Sequence, residues 1–286
     1  MSFAADYLAQ LEAFAARGSL PRVRAMHLPP AQAVVDKHGE FCALELEDGS
    51  LGLSYVLLDD TLARLREAGA SLGLAGADAL TVAHRYASTD SCTRTLGFAA
   101  ANALTRCLFD RAGFRPEPSA DSIGQMNPQA GERIGMIGLF RPLLGRILQS
   151  GAALTVVELK AELAGEGGCG SDSYRVTLDA SELADCSKVV STSTLLLNDT
   201  LERMLDSCRN ARWFAMVGPG AGCLPDALFA RGVTLLGGSW IRDRRGFVAA
   251  LQSGAARSEF AGKFALTTDS YPGFAALLDR ACGSMP

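Results

Sequence analysis

In the first half of the chain, an amphipathic helical pattern at the N-terminus is followed by short runs in which apolar and polar positions alternate. Such alternation is typical of half-buried strands, and the turn signals between the runs, above all Asp48-Gly49, favour tight antiparallel connections. Helical patterns rich in Ala and Leu follow, each beginning at or near a capping Asp or Thr. The predicted strands are Arg22 to Leu28, Ala31 to Lys37, Phe41 to Glu47 and Leu51 to Leu57; the predicted helices are Asp59 to Ala68, Asp78 to Tyr86 and Thr93 to Asp110. Strands followed by helices indicate an α+β domain.

The second half alternates strand and helix patterns, which predicts a parallel sheet with right-handed crossovers in a Rossmann-like α/β arrangement. The predicted strands are Arg133 to Ile137, Leu154 to Glu158, Ser187 to Ser191, Ala211 to Val217 and Val233 to Leu236. The predicted helices are Arg141 to Gln149, Asp199 to Arg209 and Leu224 to Arg231. Residues 165–173, GEGGCGSDS, favour a mobile loop, with an extra hairpin strand over Tyr174 to Leu178.

A change of character near the middle of the chain predicts two domains. Residues 115–132, RPEPSADSIGQMNPQAGE, contain three prolines and many small polar residues without apolar periodicity, as linkers and exposed loops do. We place the boundary between residues 124 and 125, so that residues 1–124 form the α+β domain and residues 125–286 the Rossmann-like domain. Both parts have ordinary domain sizes.

Charge and hydropathy limit the classes of partner. Lys and Arg total 27 against 31 Asp and Glu, a formal net charge of −4, so no strong positive field attracts nucleic acid. The longest run without a formal charge, Trp213 to Pro225, is too short to span a bilayer. The N-terminal segment lacks the basic region of a signal peptide. We therefore expect a cytoplasmic protein that binds neither nucleic acid nor membrane.

Eight cysteines and three histidines raise the question of a metal site. The cysteines include no C-x-x-C pair, and His27, His38 and His84 form no H-E-x-x-H motif. Zinc and iron–sulfur sites usually place two ligands within one tight turn, so most of these thiols are expected to be small buried hydrophobic residues. A metal site built from residues distant in sequence stays open.

Gly138 and Glu158 directly follow the first two predicted strands of the second half. Both positions suit a ligand site, because ligands of open α/β sheets bind beyond the carboxyl ends of the strands. Gly138 opens the turn into the first helix, and Glu158 follows 20 residues later, the spacing of a ribose-binding carboxylate. A full G-x-G-x-x-G is missing, so a tight turn with a surface Glu is an equal alternative. Glu158 can serve as a hydrogen-bond acceptor, a base or a hard metal ligand.

Hydroxyl and glycine residues follow the next two predicted strands. Thr192 and Ser193, with Asn198 further on, can hold a phosphate or carboxylate, or can simply cap the following helix. The segment Gly218-Pro219-Gly220 brings bare backbone close to whatever fills the crevice, and its proline favours a fixed shape over a flexible turn.

Two further side chains complete the candidate site. Cys223 follows the glycine segment at a predicted helix start, where the helix dipole would lower the pKa of its thiol, and it is the best candidate among the cysteines. Asn102 lies on an otherwise apolar helical face and needs partners if it is buried. It either bonds a neighbouring helix or points into a crevice between the domains.

Short motifs in both halves carry a family resemblance. They are Ala184-Asp185 with the run from Val189 to Thr194, Leu197-Asn198-Asp199-Thr200, Val217-Gly218-Pro219-Gly220, Arg231-Gly232-Val233 and Gly237-Gly238, and in the first half Gly52-Leu53-Ser54-Tyr55 and Asn102-Ala103-Leu104. On these motifs nearly the whole chain resembles the DUF364 family, which is associated with heavy-metal chelation. The resemblance implies an enolase-N-terminal-like domain joined to a Rossmann-like domain, with a site in the cleft between them.

The leading hypothesis is a protein that binds a transition or heavy metal, or a small molecule that chelates it, in the interdomain cleft. The ligand-binding residues would be Asn102, Gly138, Glu158, Thr192, Ser193, Asn198, Gly218, Pro219 and Gly220, with Glu158 and Cys223 as metal ligands. The alternative is an enzyme acting on a nucleotide or another phosphorylated small molecule, and a third hypothesis is a regulatory binding protein without turnover. A homodimer fits each of them, because closed two-fold oligomers are common.

Overall fold

A computed structural model of the chain describes residues 2–34, 39–119, 125–159, 163–167 and 174–283, which form helices around two β-sheets. The helices are α1 (Phe3–Ala15), α2 (Thr61–Ala68), α3 (Ala79–Ala83), α4 (Ser91–Arg111), α5 (Arg141–Leu148), α6 (Leu201–Ser207), α7 (Asp226–Phe229), α8 (Arg244–Ser253) and α9 (Phe274–Cys282). The strands are β1 (Val23–His27), β2 (Phe41–Leu46), β3 (Leu51–Tyr55), β4 (Arg133–Ile137), β5 (Ala153–Val157), β6 (Gly165–Gly167), β7 (Tyr174–Thr177), β8 (Lys188–Thr192), β9 (Trp213–Val217), β10 (Leu235–Ile241) and β11 (Ala261–Thr267).

The smaller sheet is an antiparallel meander in the order β1-β2-β3. Gly49 takes a φ of +91° in the β2–β3 turn, where Asp48 Oδ1 accepts the amide of Ser50 at 2.9 Å. The predicted strand from Ala31 to Lys37 is wrong over Ala31–Val34, which form a 3₁₀ turn. The amide of Ala33 donates to the carbonyl of Pro30 within that turn instead of to another strand. Residues 35–38, with the predicted turn at His38, lie outside the described residues.

The larger sheet is mostly parallel, in the order β11-β10-β9-β8-β4-β5-β7-β6. Neighbouring strands from β10 to β7 run parallel, as the alternation of strands and helices predicts. The two outermost strands of this described sheet, β11 and β6, are antiparallel to their neighbours. The hairpin strand predicted over Tyr174 to Leu178 is present as β7, whereas Gly165–Gly167 form β6 instead of a loop. The two sheets are consistent with two domains.

Helix α4 packs against the smaller sheet at unusually short range. Gly52 on β3 faces the helix backbone, and a Cβ there would lie 2.1 Å from the carbonyl oxygen of Ala99. Gly97 on α4 faces the segment after α3, where a Cβ would lie 1.9 Å from the amide of Tyr86. Since such distances exclude any side chain, these two glycines let the elements approach closely. Among the described helices, none is long and apolar enough to cross a membrane.

A continuous apolar core joins the two halves of the chain. Its largest cluster contains Phe98 and Leu104 of α4 together with Met216 of β9 and Leu224. Burial of this kind of apolar surface contributes about 25 cal/mol for each Å² removed from water, so separating the halves would expose costly surface. The sheets therefore form one packed unit and not two loosely tethered parts.

A buried carboxylate also links the smaller sheet to α8. Glu45 on β2 is 7% exposed, and its Oε1 accepts a hydrogen bond from Arg244 Nη1 at 2.8 Å. Its Oε2 lies 2.8 Å from Nε2 of His27 on β1. A buried carboxylate requires such partners, because removing an unpaired charge from water is costly.

We predict that Gly52→Ala destabilises the protein by about 1–3 kcal/mol or more, because the new methyl group overlaps the backbone of α4. Gly145→Ala is the matched control, since this exposed position in α5 has no atom within 4 Å of a Cβ. The control is expected to stabilise by about 0.5–1 kcal/mol through helix propensity. Urea unfolding of both variants measures the difference, and equal stability of Gly52→Ala and the parent would contradict the packing described.

Candidate functional site

The residues directly after β4, β5, β8 and β9 lie side by side at the carboxyl edge of the larger sheet, against β2 and β3 of the smaller sheet. We call this region the junction site. From the larger sheet it contains Gly138, Glu158, Thr192, Ser193 and the segment Gly218–Gly220. The sheet order thus brings together residues that are up to 82 positions apart in sequence.

Glu158 closes the turn between β4 and α5. Its Oε1 accepts the amide of Leu139 at 2.5 Å, and its Oε2 accepts the amide of Leu159 at 3.2 Å. Gly138 has a φ of +85° in this turn, a conformation that glycine adopts readily. An ionised carboxylate has about four lone-pair positions, so the half-buried Glu158 retains acceptor capacity for a ligand or a cation.

The end of β8 contacts both neighbouring turns. A Cβ on Gly138 would lie 3.3 Å from Cγ2 of Thr192, and a Cβ on Gly218 would lie only 2.3 Å from Oγ of Ser193. Thr192 Oγ1 accepts the amide of Thr194 at 3.2 Å and lies 3.0 Å from that residue's hydroxyl. The capping role considered for Thr192 is therefore present, whereas the Ser193 hydroxyl points to the glycine segment.

The smaller sheet adds two aromatic side chains that the sequence does not single out. Phe41 and Tyr55 pack edge to face, with ring centroids 5.5 Å apart. Burial raises the pKa of Tyr55, and the nearby carboxylates of Glu40 and Glu158 raise it further. Tyr55 therefore lies near the Glu158 end of the junction site. The period of two along β3 could have found it, since Tyr55 shares a sheet face with Leu51 and Leu53.

Asn102 connects the two sheets. Its side chain is almost fully buried, and Nδ2 donates to the carbonyl of Leu53 on β3 at 2.8 Å and to that of Gly220 at 3.0 Å. Its Oδ1 accepts the hydroxyl of Tyr7 on α1 at 3.1 Å. These bonds use both amide protons, so Asn102 positions the glycine segment.

Two other predicted residues are not connected to Glu158: Asn198 lies outside the junction site, whereas Pro219 belongs to its segment Gly218–Gly220. Asn198 uses its Oδ1 within its own turn, accepting the amide of Thr200 at 3.3 Å and its hydroxyl at 2.5 Å. Pro219 is exposed and lines a crevice of about 30 Å³ with Trp240, which has room for little more than one or two water molecules. Neither residue is brought to Glu158 by the contacts that the structure describes.

The expectation of a thiolate at Cys223 is wrong. Helix α7 begins only at Asp226, and the Cys223 side chain is 1% exposed. Burial raises the pKa of this thiol to about 12, because the surroundings do not solvate a negative charge. Within the described residues, no group of three or more His, Cys, Asp or Glu side chains converges on a metal position.

Two family models match the chain. The model of DUF364, described as "Putative heavy-metal chelation", matches residues 121–268, slightly more than half of the chain. The chain belongs to the DUF364 family. A second model with the same description, DUF4213, matches residues 39–105 of this DUF364 chain. The resemblance noted from the motifs is confirmed.

Two crystal structures of DUF364 proteins with unknown function share this fold. The protein from Desulfitobacterium hafniense DCB-2 has a TM-score of 0.65 and 20% identity, with 92% of this chain and 99% of that one covered. The protein from Pyrococcus horikoshii has a TM-score of 0.66 and 18% identity, with 92% and 100% covered. The uncharacterized protein MJ0500 of Methanocaldococcus jannaschii is 30% identical over 157 residues, which are 54% of this chain and 58% of the relative. The chain thus spans little more than half the length of that relative.

We predict that Asn102→Ala lowers the free energy of unfolding of this DUF364 chain by about 2–4 kcal/mol, because it leaves two buried carbonyls and the Tyr7 hydroxyl short of partners. Asn210→Ala, which removes an exposed amide with one bond to Ala184, should change it by less than about 0.5 kcal/mol. Urea unfolding compares the two. A small effect at Asn102 would mean that the bridge contributes little.

We also predict that Cys223 resists alkylation in the native protein between pH 7 and 9. The thiolate is the nucleophile, and a pKa of about 12 keeps this thiol protonated over the whole range. Cys282 near the end of α9 is more exposed and is expected to react first. Iodoacetamide labelling followed by peptide mass spectrometry measures both rates, and labelling of native Cys223 as fast as Cys282 would contradict the burial.

Proposed function

We propose that this protein binds a chelate of a transition or heavy metal, that is, a metal ion carried by a small oxygen-rich molecule, at the junction site. The observation that carries the proposal is the position of Glu158, a half-buried carboxylate at a strand end whose charge lies near enough to Tyr55 of the other sheet to raise the pKa of that hydroxyl. The description of both matching families agrees with a metal-related role. In this proposal the site is the cleft between an enolase-N-terminal-like domain, residues 1–124, and a Rossmann-like domain, residues 125–286.

The available donors favour a chelate over a bare ion. Glu158 would supply an oxygen ligand, and the hydroxyl of Tyr55, which makes no hydrogen bond within the described residues and whose pKa is raised, would donate a hydrogen bond to the chelator. One carboxylate is fewer donors than the four to six that such ions usually take, so a chelating molecule would complete the coordination. The metal would hold the chelator together, while the protein binds and orients it.

The proposal also includes the protein's compartment, its partners and its assembly. The composition favours a cytoplasmic protein that binds a small molecule, with no affinity for nucleic acid or membranes. A homodimer is the assembly we propose, on the general frequency of closed two-fold oligomers.

The nucleotide alternative has less support from the sequence around Gly138. In a dinucleotide site the carboxylate at the position of Glu158 accepts hydrogen bonds from a ribose diol, and a glycine-rich turn binds the pyrophosphate. The glycine fingerprint of such a turn is incomplete around Gly138.

We predict that Glu158→Gln weakens binding of Ni²⁺–citrate about tenfold or more, because it removes the charge that attracts the metal. The substituted amide oxygen can still accept the Leu139 amide, so the turn should persist. Glu67→Gln on the exposed face of α2 is the matched control and should bind like the parent. Isothermal titration calorimetry gives the affinities.

Two results would overturn this proposal. One is the absence of chelate binding by the parent protein, or equal binding by Glu158→Gln. The other comes from a thermal-shift panel of nucleotides, S-adenosylmethionine and pterins, since a ligand of the native state raises the melting temperature. A shift with one of these compounds and none with chelates would favour the nucleotide alternative.

A further inference from the structure

The hydroxyl of Ser193 has no hydrogen-bond partner within the described residues. Ser193 is 5% exposed, and its Oγ makes no hydrogen bond to any residue that the structure describes. The Oγ atom is not one of the fully buried side-chain atoms that lack a partner, so it keeps some solvent-accessible surface and a ligand at this strand end can bond it. The residue has no part in the metal role proposed for Glu158 and needs its own explanation.

Two glycines border this hydroxyl, and Gly218 lies directly against it. A Cβ on Gly218 would lie 2.3 Å from Ser193 Oγ, which excludes any side chain there. A Cβ on Gly220 would lie 3.6 Å from Ser193 Oγ, 3.7 Å from Phe41 Cε1 and 3.9 Å from Phe98 Cε1, which are ordinary contact distances. A group of methyl size therefore fits beside Gly220, between the hydroxyl and the two aromatic rings.

A backbone donor adds to this space, which we call the Ser193 cradle and define by Ser193, Gly218 and Gly220. The amide N–H of Gly220 donates to no acceptor within the described parts of the chain. The carbonyl of the same residue is held by Nδ2 of Asn102 at 3.0 Å, which fixes the adjacent peptide plane. A hydroxyl and an amide without acceptors are suited to a ligand group that supplies acceptor oxygens.

We propose that the Ser193 cradle binds an oxyanion of the small molecule, a carboxylate or a phosphate, while the metal it carries lies at Glu158. The inference rests on the proposed function and names its substrate class: the protein recognises an anionic chelate by its chelator as well as by its metal. Thr192 connects the two subsites, since it precedes Ser193 and lies against Gly138 in the turn that Glu158 closes. One molecule can thus span both.

The chain offers a matched pair of substitutions in one loop. Gly220→Ala fits sterically, and Gly220 does not have the positive φ that strains an L-residue, so the variant should fold with its methyl group filling the cradle. Gly222→Ala adds the same methyl group two residues later, where it meets Asn102 at 3.8 Å. Ser193→Ala removes the hydroxyl without adding bulk. Circular dichroism and melting temperatures check that all three are folded.

The experiment is calorimetric titration with Ni²⁺–citrate, citrate alone, inorganic phosphate and Ni²⁺ alone. We expect Ser193→Ala to weaken Ni²⁺–citrate binding about tenfold, because one hydrogen bond to a charged group is lost. Gly220→Ala should weaken it by a similar factor, because its methyl group fills the cradle. Gly222→Ala should bind like the parent. The affinity for Ni²⁺ alone should stay within about twofold in all three variants. Weaker binding of citrate or phosphate alone in the two cradle variants shows which oxyanion the cradle takes.

The outcomes separate the cradle from the metal site. Equal Ni²⁺–citrate binding by the parent, Ser193→Ala and Gly220→Ala overturns the cradle and leaves the proposed function standing if Glu158→Gln still weakens binding. Oxyanion binding that depends on Ser193, with no metal binding and no effect of Glu158→Gln, supports the cradle and overturns the metal role. A loss in Gly222→Ala as large as in Gly220→Ala overturns the cradle, because it reports a general effect on the loop.

Discussion

The buried side chain of Asn102 is the interaction on which the arrangement of the two sheets depends. Its amide donates across the junction to Leu53 of the smaller sheet and to Gly220 beside the larger one, and its oxygen accepts the hydroxyl of Tyr7. In a low-dielectric interior such a fully bonded amide is stabilising, and a partly bonded one is costly. The bridge therefore links the two sheets and holds Gly220 beside the Ser193 hydroxyl.

Close packing around α4 makes this bridge possible. Gly52 has no side chain that would keep β3 away from the helix. Asn102 on α4 can therefore donate hydrogen bonds both to the Leu53 carbonyl and to the Gly220 carbonyl of the glycine segment. The apolar core then continues from α4 into the larger sheet, with Phe98 in the same cluster as Met216. A site between the sheets is therefore bordered by elements that share one apolar core.

Periodicity predicts the parts of the fold in which burial alternates regularly. It finds the meander, the long helix over Thr93 to Asp110 and the parallel strands, yet it misses α8, β11 and α9. A strand, helix and strand in succession usually form a parallel pair, but β10 and β11 are antiparallel although α8 lies between them. At the site, the strand-end rule finds Gly138, Glu158 and Ser193, whereas Tyr55 comes from another sheet. The prediction of a thiolate at Cys223 is wrong because burial dominates the pKa of its thiol, and a single sequence does not reveal that burial.

In the arrangement proposed here, one anionic chelate lies across the junction, with its metal at Glu158 and its oxyanion at Ser193. Crystals of the protein grown with Ni²⁺–citrate and measured at the nickel absorption edge test this arrangement. We expect an anomalous peak within coordination distance of a Glu158 oxygen, about 2.0–2.2 Å, and citrate density reaching Ser193 Oγ. An anomalous peak at the His27–Glu45 pair or beside a cysteine, with no density between the two sheets, would contradict it.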